Sequence, residues 1–197
     1  MKEKQNKKGF TLAELLIVVA IIGVLVAISI PIFNNQLRKA RLATNQANAR
    51  AAFSAAEAAY LDYVAAHGSV PINSFTHNRA EDYDTVTFTY FPAAGKGILN
   101  FHYSDGGNRW ICDGANEICK DTNISHWTAD TQVSFGRTSN DIRKIGDRIA
   151  RIWTIHMNPE NGEIKGYYCA FPKADDPDYN KVLKSFANGT ESQYEQK

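Results

Sequence analysis

The sequence predicts an α+β protein in which one long N-terminal α-helix packs against an antiparallel β-sheet head. Three observations predict it. The stretch from Phe10 to Phe33 is almost wholly apolar, residues 34–66 are alanine-rich with no glycine or proline, and short alternating β-forming segments separated by turns follow. The chain has 197 residues, 44% of them hydrophobic, which suffices for one domain with a real core and not for two large ones. The expected divisions are a basic leader at 1–9, a hydrophobic segment at 10–33, an amphipathic continuation of the same helix at 34–68 and a globular head at 69–197.

The hydrophobic segment comes first. Between Phe10 and Phe33 the only polar side chains are Thr11, Glu14 and Ser29. At about 1.5 Å per residue a helix over this segment runs roughly 36 Å, enough for a hydrocarbon core of about 30 Å. A cleavable secretory signal has a shorter apolar stretch and a small-residue cleavage site. Here Ser29-Ile30-Pro31 follows the apolar run, which excludes that reading. Glu14 is the anomaly. A carboxylate at the edge of a membrane span is costly and marks a functional site. It needs a positive partner that a plain anchor does not supply.

The run Lys7-Lys8-Gly9-Phe10-Thr11-Leu12-Ala13-Glu14-Leu15-Leu16, with the aliphatic stretch and Pro31 behind it, closely resembles the type IV prepilin cleavage and methylation segment. The resemblance covers about residues 1–45. It implies cleavage between Gly9 and Phe10 by a membrane prepilin peptidase on the cytoplasmic side, and N-methylation of Phe10. Glu14 is then the carboxylate that neutralises an N-terminal amine within a filament and sets subunit register. Glycine leaves the backbone open to a protease. Lys2, Lys4, Lys7 and Lys8 favour a cytoplasmic N-terminus, although Arg38, Lys39 and Arg41 flank the other end. Pro31 removes a helix hydrogen-bond donor and is a candidate bend; Gly23 is a second flexible or close-packing point.

In the continuation, Leu37, Ala40, Ala47, Ala51, Ala55, Tyr60, Leu61 and Val64 recur at spacings that predict one face on the sheet, and Gly68 is a helix stop. In the head, residues 84–91, 97–103 and 108–112 read as strands. Residues 152–157 and 163–171 form a hairpin about Asn158-Pro-Glu-Asn-Gly162. Ile142, Ile145 and Ile149 predict a helix over 139–148. A short C-terminal helix starts at Pro177, with Tyr179, Val182, Leu183 and Phe186 on one face and Gly189 after it.

The three cysteines, Cys112, Cys119 and Cys169, lack C-x-x-C or His-partnered spacing, so no metal site is expected. In an oxidising compartment three pairings are open. The short separation of Cys112 and Cys119 around Asp113-Gly114 favours that pair, with Cys169 left over as a small buried residue. His67, His77, His102, His126 and His156 are scattered. Acidic loops at 105–108, 113–117 and 175–178 read as turns rather than calcium loops. Arg143, Lys144, Arg148 and Arg151, interrupted by Asp141 and Asp147, read as a solvated helix face with i,i+4 pairs. Asn123-Ile-Ser125 and Asn188-Gly-Thr190 match glycosylation triplets. No catalytic motif is present, so no enzyme activity and no cofactor are expected. Residues 69–197 carry fourteen Lys/Arg against seventeen Asp/Glu, a poor complement to a phosphate backbone, so no nucleic-acid partner is expected for the head.

The resemblance thus implies a structural subunit of a type IV pilus. It is a single-pass prepilin in the cytoplasmic membrane, in contact with lipid, and then part of an extracellular filament of identical copies. Its partners are prepilin peptidase and the membrane assembly machinery. Alternatives are a pseudopilin of a type II secretion or DNA-uptake system, a minor tip pilin, or, from a different class, a membrane-tethered surface-binding module.

Overall fold

The computed structural model describes residues 10–70, 85–102, 122–134, 142–173, 175–190 and 194–196. The chain divides into two compact units, Met1–Arg38 and Lys39–Lys197. Helix α1, Leu12–His67, has residues in both units and contains Pro31. In the first unit its large apolar side chains, from Leu12 to Phe33, are all exposed. Ser29 Oγ donates to the Leu25 carbonyl at 2.6 Å, a common way for a hydroxyl to be satisfied inside an apolar helix.

The second unit is built on a five-stranded sheet. Its strands are β1 Thr85–Phe91, β2 Lys96–His102, β5 Ile152–Met157, β6 Ile164–Ala170 and β7 Tyr194–Gln196. They lie in the order β6-β5-β1-β2-β7. Each neighbouring pair among the first four is antiparallel, and β7 adds to β2 in parallel. A separate two-stranded piece pairs β3 Gln132–Ser134 with β4 Ile142–Lys144. The α+β class expected from the sequence is therefore the observed one, and β1, β2 and the β5–β6 hairpin lie where the alternation places them. Gly162 closes that hairpin with φ +72, and a side chain there would strike the Tyr60 ring, so helix and turn meet closely.

Strand alternation gives the sheet two apolar faces. One carries Val86, Phe88, Tyr90, Leu99, Trp153, Ile155 and Tyr167 against Ala49, Ala52, Ala56, Tyr60 and Tyr63 of α1. The alanines let the helix axis approach while the aromatics fill the space beside it; Phe53 and Tyr167 lie 5.8 Å apart and Trp127 stacks on Trp153 at 6.1 Å. The other face carries Phe91 and Ile98 against Tyr179 and Phe186 of helix α2, Pro177–Asn188. Helix α2 starts and stops as its residues predict. The Asp176 carboxylate accepts from the Asp178 and Tyr179 amides, Pro177 stands in the first turn, and Gly189 ends it at φ 66.

Two expectations are corrected. The buried face of α1 is Asn45, Ala49, Ala52, Ala56, Tyr60 and Tyr63; of the expected stripe Tyr60 lies on it and Ala55 and Val64 pack half-buried against the core, whereas Leu37, Ala40, Ala47, Ala51 and Leu61 are exposed. Alanines occur on every side of this helix, so alanine spacing alone does not mark a face. The helix expected over 139–148 is absent from its described part: residues 142–144 are strand β4 and 145–151 a connecting loop. Tertiary partners claim the backbone groups a helix would use. Ile145 N–H donates to Thr131 O at 2.8 Å and Gly146 N–H to Ala129 O at 3.0 Å. The Asn45 amide donates to the carbonyls of Ile145 (2.8 Å) and Arg148 (2.7 Å), and its Oδ1 accepts from Ala150 N–H at 2.8 Å. The helix face expected to carry Arg143, Asp147 and Arg151 is therefore absent as well.

Candidate functional site: the N-terminal segment of α1

Phe10 is the first described residue, 89% exposed and outside the helix. Thr11 is the residue before the first helical one. Its backbone N–H donates to Glu14 Oε2 at 2.8 Å and its hydroxyl to the same oxygen at 2.7 Å, while Glu14 N–H donates back to Thr11 Oγ1 at 3.3 Å. This is a reciprocal capping box, in which two side chains satisfy backbone donors that the first turn leaves open. The T-x-x-E spacing before an apolar run is its sequence signature. Sequence reasoning on Glu14 alone passed over Thr11, although the signature was there to be read.

The cap does two things. It fixes the start of α1 directly after Phe10. It also gives the Glu14 carboxylate local hydrogen bonds next to the positive end of the helix dipole. All of these contacts fall on Oε2; among the described residues none meets Oε1. Behind the cap, Gly23 has no neighbour within 4 Å of where a side chain would begin. Among the described residues its smallness serves no contact. By length and composition α1 is able to cross a membrane.

The other candidate residues lie apart from this segment. Cys169 is fully buried on β6 opposite Trp153. Gly9, Cys112, Cys119 and the acidic loops at 105–108 and 113–117 lie outside the described residues, as do the strand expected at 108–112 and His77. Of the 175–178 loop, Asp176 is engaged as the cap of α2. His67 stacks on Tyr63 at 4.2 Å in the last turn of α1, and His156 is buried in the sheet.

The chain is thus an α+β protein with a long, exposed apolar N-terminal helix segment, capped by Thr11 and Glu14, and an antiparallel sheet. Residues 4–30 match the family described as the prokaryotic N-terminal methylation motif. A stretch of 37 residues is 51% identical to the fimbrial protein EcpB of Eikenella corrodens, covering 19% of this chain and 23% of that protein. The chain therefore spans under a quarter of the length of that curated relative in the match. No solved structure matches the chain significantly. The motif, the fimbrial match and the fold together support a type IV pilin-like family.

Proposed function

We propose that the chain is a structural subunit of a type IV pilus, held in the cytoplasmic membrane by α1 and then polymerised into a surface filament. The single observation that carries this reading is the exposed apolar surface from Leu12 to Phe33, most of it inside the methylation motif matched at residues 4–30. Such a surface is stable in lipid or against copies of itself, not in water. Lipid tails and neighbouring helices are similarly apolar, so packing and polar pairing decide between them.

In this reading residues 1–9 are removed by prepilin peptidase between Gly9 and Phe10, and the new Phe10 amine is methylated. Thr11 and Glu14 remain in the mature chain, and the capping box with them. Glu14 offers Oε1 to an N-terminal amine, its own or a neighbour's, in the bundle. A misaligned subunit leaves a charge unpaired in apolar surroundings, which penalises wrong register. Gly23 lets a neighbouring helix approach, and Pro31, which lacks a backbone donor, is the point where α1 loosens on assembly. The 10–33 segment is the assembly helix, 34–68 its amphipathic continuation and 69–197 the displayed head. A Cys112–Cys119 bridge would close a loop of that head.

Electron microscopy of material sheared from cells, with quantification of its subunits, tests the assignment. Abundant surface fibres made mainly of this chain are expected. Short or scarce assemblies confined beneath the surface would replace it with a pseudopilin, and a trace of this chain in fibres of another subunit with a minor pilin.

A further inference from the structure

A basic patch forms where the first residues of the second unit meet the loop after β4. Lys39 is exposed and Arg41 half-buried on α1; Arg143, Lys144 and Arg148 are exposed on β4 and the loop. The loop that follows β4, with Arg148 in it, is held against α1 because Arg41 Nη1 donates to the Asp147 carbonyl at 2.8 Å and Asn45 holds the carbonyls of Ile145 and Arg148; Arg143 and Lys144 lead into that loop. Ile149 stands next to Arg148 in the same loop with 45% of its surface exposed, a rare large apolar side chain left open in this unit. Among the described residues two acids lie with these cations: Asp130, paired with Lys144 at 2.9 Å, and Asp147. The patch remains net positive on a head whose overall balance is acidic.

We propose that this patch docks on the anionic phospholipid headgroups of the leaflet from which α1 emerges, with Ile149 dipping into the interface. The inference rests on the reading of 10–33 as a membrane span. In the chain Lys39 and Arg41 follow Phe33, the last residue of that span, by only six and eight residues, which keeps them near the headgroup layer whatever the orientation of the head. Clustered Lys/Arg beside a span, with an apolar residue among them, is the chemistry that anionic headgroups recognise. The solvated-helix reading of Arg143, Lys144 and Arg148 does not apply, because the segment is a strand and loop tied to α1. Docking would hold the unassembled subunit against the membrane until neighbouring subunits replace the lipid.

The test uses the full chain in vesicles of phosphatidylcholine alone or of equal phosphatidylcholine and phosphatidylglycerol. Arginine-directed dicarbonyl labelling, read by peptide mass spectrometry, reports access to each guanidinium. Arg148 and Arg143 are expected to label several-fold more slowly in the anionic vesicles, and Arg50, exposed on α1 away from the patch, at the same rate in both. High salt should abolish the difference. Lys39→Ala with Lys144→Ala should weaken docking about fivefold per cation removed, with unchanged tryptophan fluorescence as the check on folding. Equal labelling in both vesicles overturns the proposal. So does slowing in both, which means apolar contact alone, or slowing that follows protein density, which means a second copy covers the patch. Alkaline extraction of the same vesicles reads the span separately: extracted protein counts against the span, retained protein with unprotected arginines against the docking.

Discussion

Thr11 holds the Glu14 carboxylate through Oε2 with both its amide and its hydroxyl, so the charge and the cap are separable functions of one side chain. Glu14→Ala removes both and is expected to be processed yet to enter filaments poorly. Glu14→Gln keeps a group able to reach back to the Thr11 amide but carries no charge. It is expected to start the helix normally and still assemble poorly; immunoblots of sheared fibres against membrane fractions measure this. Filament yield equal to the parent from Glu14→Gln would assign the role to capping rather than charge. A second residue-scale expectation concerns Glu163 on the β5–β6 turn. The hydrogen bond and charge of Lys165, 2.5 Å away, hold its carboxyl below the usual carboxylate range. A depressed folded pKa contributes stability above the unfolded value and loses it as pH falls through the folded one, so any effect lies in the acid limb. Lys165→Ala should raise the Glu163 pKa in a carboxyl NMR titration; an unchanged midpoint would show that Lys165 is not the cause. The acidic anomaly at Glu14 was legible because charge stands out in an apolar run. Its partner Thr11 was legible only as a spacing.

At the level of elements, Asn45 fastens the loop after β4 to α1. Asn45→Ala leaves the Ile145 and Arg148 carbonyls and the Ala150 amide without that partner, a loss of about 3 kcal/mol. Tyr60→Phe removes the hydrogen bond its hydroxyl donates to Pro159 O at 3.0 Å, costing about 1 kcal/mol. Urea unfolding of the full chain in detergent, followed by the fluorescence of buried Trp127 and Trp153, measures both. A smaller loss for Asn45→Ala than for Tyr60→Phe would contradict this assignment of the clamp. Burial, and secondarily the charge of Glu160, raises the Tyr60 pKa. The associated stability is complete below the unfolded phenol's value of about 10 and is lost as pH rises through the folded one. Strands β1, β2, β5 and β6 were legible from alternation, and α2 from Pro177 and Gly189. Strand β4 was not, because isoleucines at helical spacing in 142–149 are decided by an amide a hundred residues away. The core face of α1 was obscured for a related reason: its leading position is a polar asparagine, and alanines occupy the other faces as well.

For the whole molecule, the two units have opposite needs. The second buries its apolar surface in its own core, whereas the first leaves an apolar helix exposed and stable only in other company. That contrast is legible in composition alone, since Thr11, Glu14 and Ser29 are the only polar side chains from Phe10 to Phe33 while charges recur throughout the head. It underlies the proposal of a membrane-held subunit that becomes a filament. Gly9 substituted by a bulky residue is expected to block maturation, leaving unprocessed chain in the membrane. The most direct test is intact mass spectrometry of this subunit from sheared surface fibres. The account predicts a chain that starts at Phe10, lacks residues 1–9 and is one methyl group heavier than its sequence. A full-length chain beginning at Met1, found only as a lipid-embedded monomer, would contradict it.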